Sequence, residues 1–113
     1  MEISARSSGN VSIVTLSGRL DAYAANQVER ELDSLMAASE VCLVVELGEL
    51  EYISSSGLRV LLAGIKRARK QQGDIRLACL RPYVKEVFDI AGFTQLFRIF
   101  DAEQEAVSSY QEG

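Results

Sequence analysis

Val41-Cys42-Leu43-Val44-Val45-Glu46-Leu47 is apolar at nearly every position. A strand with one wet face would alternate, so this run predicts a strand covered on both faces, inside a largely parallel sheet. That restricts everything else. Parallel neighbours need crossover connections, and helices must cover the sheet. After the run and Gly48 come Glu49-Leu50-Glu51-Tyr52-Ile53, three serines (Ser54, Ser55, Ser56), then Gly57 and Leu58. A helical pattern follows, with Leu58, Leu61, Leu62, Ile65 and Ala68 on one stripe. Lys66, Arg67, Arg69 and Lys70 cluster in its last turns, where cations suit the helix dipole, and Gly73 is placed as a stop. The spacing predicts a loop over 48–55 and a helix over about 56–72.

The flanking segments supply the crossovers. Residues 2–7 alternate weakly, Ser8-Gly9-Asn10 forms a turn, and residues 11–17 alternate clearly, with Val14 on the other face. This is a hairpin pattern. Gly18-Arg19-Leu20-Asp21 leads into a helical pattern ending at Ala38, with Ala25, Val28, Leu32, Leu35 and Met36 on one face. Asp21 is placed to cap that helix or to sit just before it. Residues 74–79 alternate as a further strand. Pro82 opens a short helix whose apolar face is Val84, Val87, Phe88 and Ala91, and Gly92 ends it. Residues 96–100 read as a last strand, and Asp101 as the cap of a final helix carrying Ala106, Val107 and Tyr110. The order ββαβαβαβα predicts an α/β fold: a mixed, largely parallel sheet of about five strands packed with four helices. At 113 residues the chain is expected to be one domain, 1–113.

Several function classes are disfavoured. The net charge of −4 opposes broad nucleic-acid binding. No apolar run approaches the roughly 18 residues of a membrane span, and Met1-Glu2-Ile3-Ser4 lacks the basic start of a signal peptide. A cytoplasmic protein is expected. There is no histidine, so the usual general base of serine and cysteine enzymes is missing. No GxSxG, Walker A or GxGxxG pattern occurs. The expectation is therefore no enzyme, no metal and no cofactor. Cys42 and Cys79 fall in strands and read as buried free thiols.

The serines offer two readings. A strand-to-helix turn gathers unpaired N–H groups and the positive end of the helix dipole. Such a place suits a serine cap, and equally a phosphate. Asp21 should lie near the serine turn if both strand ends share one sheet edge, and Glu46 either faces the same area or ends its strand in solvent. Val60, Ala63 and Gly64 lie off the main stripe and form a shallow contact surface or pack under a neighbour. Gly57 permits a close backbone approach or simply opens the helix.

Taken in order, several of these segments resemble the STAS domain of the anti-sigma factor antagonist (anti-anti-sigma factor) family. The resemblance rests on Gly18-Arg19-Leu20-Asp21, on Val44-Val45-Glu46-Leu47 leading into Tyr52-Ile53-Ser54-Ser55-Ser56-Gly57-Leu58, and on Gly73-Asp74-Ile75. Pro82-Tyr83-Val84-Lys85-Glu86-Val87-Phe88 with Gly92-Phe93 completes it, over nearly the full length. The resemblance implies a partner-switching module. Its partner is a serine-kinase anti-sigma factor of the histidine-kinase-like ATPase class, and binding it frees the sigma factor. Phosphorylation of a serine before the second helix separates the pair, and a metal-dependent serine phosphatase resets it. The family acceptor falls on Ser55, with Ser54 and Ser56 the adjacent candidates. Asp21, Ser54, Ser56, Gly57, Leu58 and Val60 are the expected partner-binding residues. At one point the chain departs from the family: Ser54 stands where an aspartate is usual. That departure leaves a second reading, a STAS scaffold or accessory subunit of a signalling or transporter assembly, in which the serines only cap the helix.

Overall fold

The computed structural model describes residues 1–111. The elements are β1 (Glu2–Ser8), β2 (Val11–Leu20), α1 (Ala22–Ala37), β3 (Cys42–Ile53), α2 (Ser55–Lys70), β4 (Asp74–Ala78), α3 (Pro82–Ile90), β5 (Ile99–Phe100) and α4 (Glu103–Ser109), with a 3-10 turn at Phe93–Gln95. The sheet order is β1-β2-β3-β4-β5. The β1–β2 hairpin is antiparallel and every other pairing is parallel. This is the α/β architecture expected from the strand and helix patterns.

β3 lies at the centre because its side chains are wanted on both faces. Leu43, Val45 and Leu47 enter the main core, with Val28 and Leu32 of α1 and Leu61 and Ile65 of α2. Val44 points the other way, into a smaller cluster of Val11, Ile13, Ala78, Ala106 and Val107 beneath α4. Helix α3 joins the main core through Val84 and Phe88. Phe88 meets Phe93 and Phe97 edge-on, at 6.3 and 6.0 Å between ring centres.

The structure corrects several boundaries. Residues 48–53 are not a loop but the second half of β3. β2 also runs on, to Leu20, and Ser17–Leu20 pairs with Glu49–Ile53 across two register shifts. Such irregularities absorb extra residues while pairing continues. Gly48 N–H is held at one of them by the Glu46 carboxylate, at 2.6 Å. Glu46 therefore braces the middle of its strand and does not end it. α2 begins at Ser55, one residue early, and ends at Lys70. The left-handed residue after it is Gln72, with φ 63°. Gly73 is required by space instead: a Cβ there would sit 2.1 Å from the Val41 carbonyl oxygen. β5 is only two residues long, because Phe97 is drawn into the aromatic cluster. Asp101 does not cap α4; Ala102 precedes that helix and its N–H donates to Glu105, at 3.2 Å. Ala91 is exposed, and both cysteines are half-buried, with Cys79 just beyond β4 at φ 65°.

Candidate functional site

Parallel pairing brings two helix starts to one level. Leu20 and Ile53 are register partners at the ends of β2 and β3. Ser54 N–H donates to the Leu20 carbonyl, at 2.9 Å. The next residue in each strand caps the helix that follows. Asp21 Oδ1 accepts from Ala24 N–H at 2.9 Å, and Ser54 Oγ accepts from Gly57 N–H at 3.1 Å. The two caps thus stand side by side at the carboxyl edge of the parallel strands.

The choice between cap and phosphate is divided between residues. Ser54 has the extended backbone of a cap, φ −89° and ψ 169°, and its hydroxyl is committed to Gly57. Ser55 is the first helical residue and is exposed. Among the described residues no hydrogen bond engages its hydroxyl. Ser56 is half-buried. The first turn of α2 carries no acidic side chain, so the positive helix end is uncompensated there.

The other expected contact residues scatter by exposure. Asp21 is exposed and caps α1. Leu58 and Val60 are half-buried and pack partly against the main core. Gly57 is buried, and an added Cβ would meet Leu20 Cγ at 2.7 Å and Ile53 Cγ1 at 3.1 Å. A glycine is needed there so that α2 can approach β2. Gly64 is likewise buried, against Ile75 and Leu32, while Val60 and Ala63 border a groove between α1 and α2. In the basic cluster, Arg67 pairs with Asp33 at 2.7 Å. Arg69 pairs with Asp74 at 3.1 Å and donates to the Leu96 carbonyl at 2.6 Å. Lys66 and Lys70 remain solvated.

Two aromatic residues at this edge escaped sequence reasoning. Tyr23 and Tyr83 are the second residues of α1 and α3 and are 76% and 54% exposed. Their signal was present: each stands off the apolar stripe of its helix. Arg81, just before α3, donates to the Gly48 carbonyl at 2.8 Å and pairs with Glu49 at 3.2 Å, tying that helix start to β3. Among the described residues no group of three His, Cys, Asp or Glu side chains could hold a metal ion, and no helix is long and apolar enough to cross a membrane. Chemically, the edge offers an exposed serine hydroxyl, that of Ser55, at a positive helix end, beside a carboxylate cap and exposed aromatics.

The family model described as the STAS domain matches residues 2–106. BtrV of Bordetella bronchiseptica, assigned as an anti-sigma factor antagonist, is 38% identical over 99 residues, covering 88% of this chain and 85% of that protein. The anti-sigma-B factor antagonist of Listeria monocytogenes is 29% identical over 105 residues, 93% of this chain and 91% of that one. Among solved structures, the Bacillus protein SpoIIAA in its unphosphorylated form matches with a TM-score of 0.86. That match covers 97% of this chain and 96% of the other at 19% identity, a likeness of fold.

Proposed function

This chain belongs to the STAS domain family, among the anti-sigma factor antagonists, which are non-enzymatic regulators, and on that footing we propose that it is a phosphorylation-controlled antagonist acting in the cytoplasm. Unphosphorylated, its helix-start edge binds a serine-kinase anti-sigma factor of the histidine-kinase-like ATPase class and releases the sigma factor. Phosphate on Ser55 ends that binding, and a serine phosphatase restores it. One observation carries the reading. Ser54 supplies the cap, so Ser55 is free to accept a phosphoryl group without any loss of helix capping. Serine and aspartate are comparable caps, so Ser54 preserves the local geometry that an aspartate would give. Asp21, Ser54, Ser56, Gly57, Leu58 and Val60 are the proposed contact residues. A phosphate adds about −1.5 to −2 charges at that surface. Repulsion and desolvation of roughly 3 kcal/mol correspond to about a hundredfold weaker binding.

The test is to incubate the chain with the candidate serine kinase and ATP and to locate the phosphate by mass spectrometry. Phosphate is expected on Ser55 and is lost in Ser55→Ala. Equal binding of the kinase by modified and unmodified protein would sink the switching mechanism. Ser54 in place of an acidic residue favours one second reading, a STAS scaffold. A kinase that binds this chain tightly yet transfers no phosphate to it would support that reading.

A further inference from the structure

The arginines of this chain are almost all engaged. Arg6, Arg67, Arg69, Arg76 and Arg81 are in ion pairs with carboxylates. Arg19 and Arg98 lie over the rings of Tyr52 and Phe100, at 4.3 and 5.3 Å. Among the described residues, Arg30 and Arg59 alone do neither. Arg30 lies on α1, beside Met1 and Glu31. Arg59 is exposed on α2, four residues after Ser55.

That spacing places the two side chains on one face of the helix, one turn apart. Helical side chains lean toward the N-terminus, so Arg59 leans toward the Ser55 turn. An anion placed four residues before a cation is the favourable order of such a pair. We propose that Arg59 is the built-in counter-ion of phosphorylated Ser55: the guanidinium folds back one turn and pairs with the phosphate in the same chain. The inference rests on Ser55 being the acceptor. Its consequence is that phosphorylation also withdraws a free cation from the partner-facing edge. Arg59 is a positioning residue in this role, acting only once the phosphate is present. The other charged groups around this turn are Asp21 on the adjoining helix start, Glu49 and Glu51 on β3, and Arg19 on β2. Arg19 is held over Tyr52 and Glu49 is paired with Arg81, which leaves Arg59 as the cation at hand.

The experiment uses full-length protein with phosphoserine installed at position 55 during translation, so that it is independent of any kinase. The second ionisation of the phosphate is followed by phosphorus NMR. Phosphoserine ordinarily ionises near pH 6. Replacing Arg59 with Gln is expected to raise the proton affinity of the phosphate about two- to threefold, the scale of an i,i+4 pair strengthened by a doubly charged anion. Arg59→Glu should raise it further, Arg59→Lys should retain most of the wild-type value, and Arg30→Gln should change nothing. Identical titrations for wild type, Arg59→Gln and Arg59→Glu would overturn the pairing. A kinase that fails to modify Ser55 would instead overturn the reading beneath it, and the two failures are told apart by separate measurements.

Discussion

Three adjacent serines have nearly the same intrinsic tendencies, yet their situations differ. Ser54 is pinned by the Leu20 carbonyl and gives its oxygen to Gly57 N–H. Ser55, one residue on, makes no side-chain hydrogen bond among the described residues. Two substitutions separate the roles. Ser54→Ala should lose about 1 kcal/mol of stability in urea denaturation, the usual value of a serine cap. Ser55→Ala should stay within about 0.5 kcal/mol of wild type, as surface changes do, while losing the phosphate. If Ser55→Ala were the destabilising one, the cap would be misassigned. Gly57 gives a third residue-level prediction. A Cβ there would sit 2.7 Å from Leu20 Cγ, so Gly57→Ala should cost about 1–3 kcal/mol through overpacking, despite alanine's better helix propensity.

At the scale of elements, α4 is the least self-sufficient. Seven residues make a helix that is marginal alone in water. Ala106 and Val107 cover Val11, Ile13 and Val44, and Tyr110 fastens the end. The Tyr110 hydroxyl lies 2.7 Å from the Leu43 carbonyl and 2.9 Å from that of Asp74, donating toward both. Its ring carries the Arg76 guanidinium at 3.9 Å, and Arg76 in turn pairs with Asp74 and donates to Ser109. Burial, and after it the Asp74 carboxylate, pushes the Tyr110 phenol above the ordinary tyrosine range. The unfolded chain loses this proton near pH 10, whereas the folded chain keeps it. The stabilisation is therefore complete below about pH 10 and falls as pH rises beyond that. Tyr110→Phe should flatten this alkaline loss, measured as the difference between the two unfolding curves across pH 9 to 11. It should also speed amide exchange in α4 before it does so in β3. An unchanged alkaline slope in Tyr110→Phe would remove Tyr110 as its cause.

For the molecule as a whole, the proposed phosphorylation would change charge rather than shape. The Cα radius of gyration is 12.6 Å, close to the value of about 13 Å expected for a compact chain of this length. Ser55, the proposed acceptor, is exposed and lies outside both hydrophobic clusters. Phosphorylation moves the net charge from −4 to about −6. The phosphorylated protein should keep the same far-UV circular dichroism and the same urea m-value, because the surface exposed on unfolding is unchanged. Its affinity for the kinase should meanwhile fall about a hundredfold. A lower m-value in the phosphorylated form would point to a refolding switch instead.

The sequence by itself determined the kinds of element and their order. The nearly continuous apolar run ending at Leu47 demanded a strand covered on both faces, and the helical patterns on either side demanded helices to cover it. Period and run length are local properties, so they survive in one dimension. Boundaries and partners do not. Residues 48–53 mix Glu49 and Glu51 with Leu50 and Ile53, a pattern that reads as a polar loop. They are a strand because the end of β2 lies alongside to receive their hydrogen bonds. The resemblance to the family brought Ser55 forward among the serines. That Ser54 holds the cap, and that Ser55 is left over, was decided only in three dimensions. The hydrogen bond from Ser54 N–H to the Leu20 carbonyl, distant in sequence, holds the capping residue at the end of β2.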